Sequence, residues 1–183
     1  MSNILERDID NINDIYEDEE DSMENKYLTF NIANESYGIN IQCVVEIIEL
    51  QKITEVPDMP PFIKGVINLR GKIIPVMDLR LRFHMDARDY DDRTCTIVTN
   101  IRDTNIGFIV DTVDEVVEIL ENNIEPPPKF KSDKIKEQYI SGLGKVGNSV
   151  KIILDVEKVL YEEEIMNLKN LSTDKNKTDN TKE

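Results

Sequence analysis

The sequence predicts a mainly-β fold built from two small barrels packed on each other, with a few short helices. Three observations predict it. Short runs of β-branched and aromatic residues recur between turn residues. The pattern repeats once within the chain. Helix-period stretches in the middle of the chain are few and short.

Taken in order, Tyr27–Ile32 and Tyr37–Ile41 carry β-formers in partial alternation, and Ala33-Asn-Glu-Ser36 links them as a turn. Val66–Ile67, Ile73–Val76, Thr96–Val98, Ile106–Val110 and Val150–Leu154 continue the series. The Gly142-Leu-Gly-Lys-Val-Gly147 cluster precedes a strand rather than a helix, so it reads as a turn and not as a phosphate cradle. Asp155 through Tyr161 reads as a short helix with Asp155 as its N-cap.

The repeat is the most informative feature. A shift of 69 residues lays segment 28–57 over 97–126, with identities at Asn31/Asn100, Ile32/Ile101, Gly38/Gly107, Val44/Val113, Glu46/Glu115, Glu49/Glu118 and Pro57/Pro126. A shift of 77 lays Phe62-Ile-Lys-Gly65 over Tyr139-Ile-Ser-Gly142 and Asp78 over Asp155. The difference is an insertion between Pro126 and Lys136, where extra length costs little. Each unit of about 65 residues is too small to bury much alone, so the two are expected to share a core.

Composition narrows the function. The 183 residues carry a formal charge of −15, which disfavours binding to a phosphate backbone or an anionic membrane. One histidine, His84, excludes a multi-histidine metal site within one chain. Cys43 and Cys95 show no metal or redox spacing and fit a reducing compartment. No signal peptide or membrane span is expected. The acidic loop Asp86–Asp92 lacks the glycine and glutamate of a calcium loop. Nucleotide-loop, zinc-protease and serine-elbow motifs are absent, so no enzyme and no cofactor is expected.

The ends read as extensions. Residues 1–25 hold ten acids and one base, with Leu5, Ile9, Ile12 and Tyr16 at helical spacing, so they form either a disordered acidic arm or a short helix. Residues 162–183 read as a polar, disordered tail.

One constellation stands out. Arg70 lies between Leu69 and Gly71 in the otherwise apolar stretch Gly65–Arg80, and a lone arginine among strands needs a carboxylate. Glu46 is the candidate. The pair is either an ion pair that shapes the barrel or the polar anchor of a docking surface, and both readings stand on these residues.

The stretch Phe62-Ile-Lys-Gly-Val-Ile-Asn-Leu-Arg-Gly-Lys-Ile-Ile-Pro-Val-Met-Asp-Leu-Arg80 resembles the signature of the CheW chemotaxis coupling proteins. So do Tyr37–Ile41, Val44-x-Glu-Ile47, Ile53-Thr-x-Val-Pro57, Gly107–Asp111, Val113-x-Glu-Val116, Ile140–Gly142 and Ile153–Asp155, in that order. The resemblance covers about 26–161. It implies two five-stranded SH3-like barrels, the first over about 30–93 and the second over about 94–161 with the N-terminal strand. It implies a non-enzymatic adaptor joining chemoreceptor cytoplasmic tips to the regulatory domain of the histidine kinase CheA. Such a protein is cytoplasmic, recruited to arrays through receptors, and able to meet further copies of itself in array rings. By resemblance Glu46 and Arg70, with Val44, Asn68, Leu69 and Gly71 in the same motifs, lie at or near the receptor-binding surface. Kinase binding is implied on the second barrel without residue assignment. A receiver-domain fusion, as in the related CheV proteins, does not fit the length. A relative that binds the kinase alone and competes for array positions is the alternative, which the acidic arm would favour.

Overall fold

A computed structural model describes residues 23–127, 139–160 and 162–173. The strands are β1 (Lys26–Ile32), β2 (Glu35–Asn40), β3 (Val44–Glu49), β4 (Ile63–Leu69), β5 (Lys72–Asp78), β6 (Cys95–Ile101), β7 (Thr104–Val110), β8 (Thr112–Glu118), β9 (Ile124–Glu125), β10 (Ile140–Val146) and β11 (Ser149–Leu154). The helices are α1 (Leu79–Arg82) and α2 (Glu162–Thr173). The strands form two mixed sheets. One has six strands in the order β8-β1-β2-β11-β10-β9, and the other has five in the order β3-β6-β7-β5-β4.

The repeat is visible in every pairing. Carried forward by the two shifts, the order β3-β6-β7-β5-β4 corresponds to β8-β1-β2-β11-β10. The irregularity between Val44 and Glu46 opposite β6 matches that between Leu28 and Phe30 opposite β8. The Ile63/Gly65 irregularity matches Ile140/Gly142. Asp78 N donates to Phe62 O at 2.8 Å, and Asp155 N donates to Tyr139 O at 2.9 Å.

Each sheet takes strands from both halves. The hairpins β1–β2 and β6–β7 are exchanged: β6–β7 completes the sheet of β3, β4 and β5, while β1–β2 completes the sheet of β8 to β11. A division at about residue 93, with only the first strand crossing over, is therefore not how the strands are shared. The exchange places β2 parallel to β11 and β5 parallel to β7. One apolar cluster then runs through both sheets, from Leu28, Phe30 and Ile39 to Ile97, Ile101 and Phe108. Phe30, Tyr37, Phe83 and Tyr139 stack in series through it, with ring centroids 5.9, 5.5 and 4.8 Å apart.

Three local expectations change. Gly142 and Gly144 lie inside β10, and only Gly147 is in a turn. A Cβ on Gly142 would stand 2.5 Å from Ile124 Cγ2, and one on Gly144 would stand 2.9 Å from Ile119 Cδ1, so these glycines admit neighbouring chain rather than bend their own. The segment after Asp155 is a turn: Asp155 Oδ1 accepts from Glu157 N at 3.0 Å, and the helix starts at residue 162. Asp78 does cap α1, accepting from the amides of Arg80 and Leu81 at 2.9 and 3.4 Å.

The third change concerns the polar tail, because residues 162–173 are helical. Ile165 and Leu168 are buried and Leu171 packs against the core, a stripe at helical spacing within an otherwise polar stretch. Buried Arg82 fastens this helix. Its Nε donates to Val159 O at 2.7 Å, its guanidinium meets Glu164 at 3.3 Å, and it lies 4.5 Å from the Phe62 ring centroid. Residues 174–183 lie outside the described residues, as do residues 1–22 of the acidic arm. The last residues of that arm belong to the fold: Asn25 O accepts from Ile119 N at 2.8 Å, and Glu24 O accepts from Asn40 Nδ2 at 2.7 Å.

A second ion pair joins the halves. Asp111 receives Arg80 Nε at 2.9 Å and Nη2 at 2.7 Å, and it also accepts from Ala33 N at 2.8 Å. Burial by itself would raise the Asp111 pKa, but the Arg80 hydrogen bonds, the Ala33 amide and Arg88 outweigh it, so the net shift is downward.

Three outcomes follow for stability. Gly65 has φ +140°, and a Cβ there would sit 2.1 Å from Thr54 O. Gly65→Ala is expected to destabilise by about 3 kcal/mol or more, while Gly71→Ala, where a Cβ meets nothing, costs about 1 kcal/mol; urea unfolding compares them. Leu168→Ala is expected to cost about 3 kcal/mol in the same assay, and an unchanged midpoint would show that α2 does not hold the core. Because the folded-state pKa of Asp111 is depressed, its contribution is present above the ordinary aspartate value and fades as pH falls through the folded value. Asp111→Asn should therefore be less stable by about 2–3 kcal/mol at pH 7, and the gap should close below about pH 4.

Candidate docking surface

β3 is an edge strand of the five-stranded sheet. Its pairing to β6 shifts between Val44 and Glu46, leaving Val45 as the extra residue of a bulge. Val45 is 50% exposed and Ile47 44% exposed. Ile47 sits directly opposite Ile97, which is fully buried, and opposed residues share a sheet face. The inner apolar face of this sheet thus runs out to an uncovered edge.

Arg70 reaches this edge from the tight β4–β5 turn. Leu69 pairs with Lys72, so Arg70 and Gly71 form a two-residue hairpin loop, with φ of +50° and +85°. Asn68 Oδ1 accepts from Gly71 N at 2.8 Å and stiffens the loop. From there the Arg70 guanidinium pairs with the Glu46 carboxylate, which pushes the arginine pKa up from its already high ordinary value. The Arg70 side chain is 71% exposed, so the pair contributes little to stability.

The six residues singled out by sequence separate into two roles. Glu46, Asn68, Arg70 and Gly71 meet at the surface around the hairpin. Val44 packs against the main core and Leu69 against a smaller cluster of Ile67, Ile74, Val76, Val98 and Ile109. Val45 and Ile47 are not among these six, although both stand beside Glu46 in the chain. An apolar residue in a strand reads as core, and only the edge position of β3 exposes these two. The repeat produces a second case: Val116 on edge strand β8 lies opposite buried Leu28 and is 49% exposed.

Other features are chemically quiet. Burial pushes the Cys43 thiol pKa up, away from reactivity. Burial and the Asp78 carboxylate, reached at 2.7 Å, push the Tyr90 hydroxyl pKa up and keep it a donor. His84 is exposed at the end of α1. Among the described residues no group of three His, Cys, Asp or Glu is arranged to hold a metal ion. Among them, too, no helix is long and apolar enough to cross a membrane.

Known proteins resemble this chain in sequence and fold. The model of the CheW-like domain matches residues 26–164. The chemotaxis protein CheW of Klebsiella aerogenes is 38% identical over 147 residues, spanning 80% of this chain and 88% of that protein. The CheW of Bacillus subtilis is 36% identical over 138 residues, spanning 75% of this chain and 88% of its own length. The crystal structure of the CheW scaffolding protein of Thermoanaerobacter tengcongensis superposes with a TM-score of 0.69 at 39% identity, covering 75% of this chain and 92% of that one. A family match that runs continuously over both sheets, with relatives above 30% identity along most of their length, leads to one assignment: the chain belongs to the CheW family of non-enzymatic chemotaxis adaptors.

Proposed function

We propose that this chain couples the cytoplasmic tips of chemoreceptors to the regulatory domain of the histidine kinase CheA within signalling arrays. The observation that carries the receptor half is the uncovered β3 edge, with Val45 and Ile47 beside the Glu46–Arg70 pair. Apolar side chains at an exposed edge supply contact area, and a charge pair next to them supplies register and selectivity. Val44 and Leu69 support this face from the core side, while Asn68 and Gly71 hold the loop that presents Arg70.

The kinase docks through the six-stranded sheet. Each sheet curls into an SH3-like barrel. The bridge between Thr54 and Val66, made by two amide hydrogen bonds of 2.8 and 2.9 Å, favours closure in one, and the β9–β10 pairing favours it in the other. The working unit is 26–161, acting in the cytoplasm and recruited to the membrane through receptors. Each contact is of the weak signalling class, below about 1,200 Å². Placing many copies in one array raises the effective concentration of every contact without adding new ones. Receptor state reaches the kinase if it changes the relative free energy of the kinase's arrangements on this scaffold.

A binding titration of the full chain against a receptor tip and a CheA regulatory domain from the source organism tests this. Arg70→Glu is expected to weaken receptor binding by about tenfold or more and to leave kinase binding within about twofold. Its unfolding midpoint should stay unchanged, since the pair is exposed. Loss of both bindings together with lost thermal stability would make Arg70 a structural residue. Binding to the kinase alone would identify a competitor for array positions.

A further inference from the structure

β4 is the edge of the five-stranded sheet farthest from β3. The loop that leads into it runs Pro57-Asp-Met-Pro-Pro-Phe62, and its three prolines restrict the conformations open to it. Pro60 O accepts from Ile63 N at 3.0 Å and closes its last turn. α2 packs against β5 and is fastened through Arg82. Between this loop and α2 lies a cavity of about 340 Å³. That volume is at the small end of the range for ligand sites.

The cavity walls are mostly apolar. Met59, Phe62 and Ile63 line one side, and Leu168 and Leu171 line the other. Among the described residues two charged side chains line it, and both are carboxylates: Asp58 on the loop and Glu164 on α2. They differ in what they already hold. Arg82 meets the two oxygens of Glu164 at 3.4 and 3.3 Å, which balances that charge. Arg82 is itself committed, to Val159 O and to the Phe62 ring. Asp58 is exposed at the cavity mouth, and among the described residues no hydrogen bond or ion pair engages its carboxylate. Its backbone holds φ +62°, a left-handed conformation that aspartate and asparagine both tolerate. The cavity thus joins an apolar interior to one uncompensated negative charge.

We infer that this cavity binds a small organic cation, an ammonium carried on an aromatic or branched aliphatic body. The ammonium pairs with Asp58, and the body fills the space between Phe62 and Leu168. The Asn167 amide on the α2 wall offers the ammonium a further acceptor. An anion of the same shape would meet two carboxylates, and a neutral molecule would gain nothing from Asp58. Loop and helix each supply one wall, so the ligand bridges them and holds α2 in place. The inference rests on neither the receptor reading nor the kinase reading.

The test titrates the full chain with 2-phenylethylammonium and follows the backbone amides by NMR. Saturable shifts centred on residues 58–63 and 164–171 are expected, with a Kd of about 0.1–1 mM for a ligand of this size. The neutral molecule of the same shape, 2-phenylethanol, should bind at least about fivefold more weakly, and 3-phenylpropionate should not bind. Asp58→Asn keeps the backbone conformation and removes the charge. It should weaken the ammonium about five- to tenfold, leave the alcohol within about twofold, and leave the unfolding midpoint unchanged. At ten times its Kd the ammonium should raise that midpoint by about 3–5 °C. The N-acetylated, C-amidated dipeptide of phenylalanine and lysine carries the same chemistry on a longer backbone and should bind more weakly than the free amine. Tighter binding of the dipeptide would overturn the assignment to a small molecule and point to a peptide partner. Three other results overturn the inference outright: no saturable shifts at these residues, equal affinity for ammonium and alcohol, or a folded Asp58→Asn variant that binds the ammonium unchanged. The comparison of ammonium with alcohol needs no variant, so it decides even if Asp58→Asn does not fold.

Discussion

Neither half of this chain can cover its own apolar strands, and the exchange of hairpins follows from that constraint. β1–β2 carries Leu28, Phe30, Ile32 and Ile39, all buried, yet these strands lie in the sheet of the other half. β6–β7 carries Ile97, Ile101, Ile106 and Phe108 into the sheet of the first half. A unit of this size folded alone would leave much of that surface wet. Exchange converts two marginal cores into one cluster that runs through both sheets. The two halves are then inseparable: pulling one hairpin out would open the whole core rather than one lobe of it.

The same exchange decides where function can sit. Each hairpin enters its new sheet between two strands of the other repeat, and the one on its outer side, β3 or β8, becomes the edge. An edge strand is a liability in a soluble protein unless it is short, charged or bulged. β3 and β8 are both charged and bulged, with acids at Glu46, Glu49, Asp114, Glu115 and Glu118. What remains uncovered is a small number of apolar side chains on the core-facing side. A scaffold whose fold already leaves two such edges needs no separate pocket to become an adaptor. The proposed docking site is a place where the apolar face of the sheet is left uncovered.

Much of the architecture was legible in the residues, and the gaps have physical causes. The repeat could be read because matched glycines and acids keep their spacing, and those residues answer to backbone demands. The carbonyl of Thr54 crowds Gly65, and that of Glu125 lies 3.0 Å from where a Gly142 Cβ would stand. Asp78 caps a helix while Asp155 closes only a turn. The glycine cluster in β10 misleads because glycine signals a bend and a close approach equally well. α2 was hidden by composition, since a stripe of Ile165, Leu168 and Leu171 is narrow among polar neighbours, and its Glu164 is paired with a residue distant in the chain, Arg82. The division of strands between sheets could not be read at all, because exchanged and unexchanged repeats have identical local patterns. At the site, the demand of Arg70 for a carboxylate was enough to find Glu46. The exposure of Val45 and Ile47 gave no signal, since exposure of an apolar strand residue is a property of sheet order and not of sequence.

Positive φ alone does not mark the proposed docking face. Ala33 and Arg102 hold the same left-handed conformation at +55° and +48° in the equivalent hairpins β1–β2 and β6–β7. Tight hairpins of this twist require it wherever they occur. At Ala33 the geometry serves the core, because its amide donates to Asp111 and so helps fix the Arg80–Asp111 pair. At Arg70 it lifts a long cation clear of the sheet and lays it against Glu46, in a position that adds almost nothing to folding. A residue that favours glycine or asparagine by conformation, and is instead a paired and exposed arginine, is better explained by a partner than by the fold. The glycine at the equivalent place in the second repeat sharpens that contrast, since the backbone is the same and only the need for a cation differs.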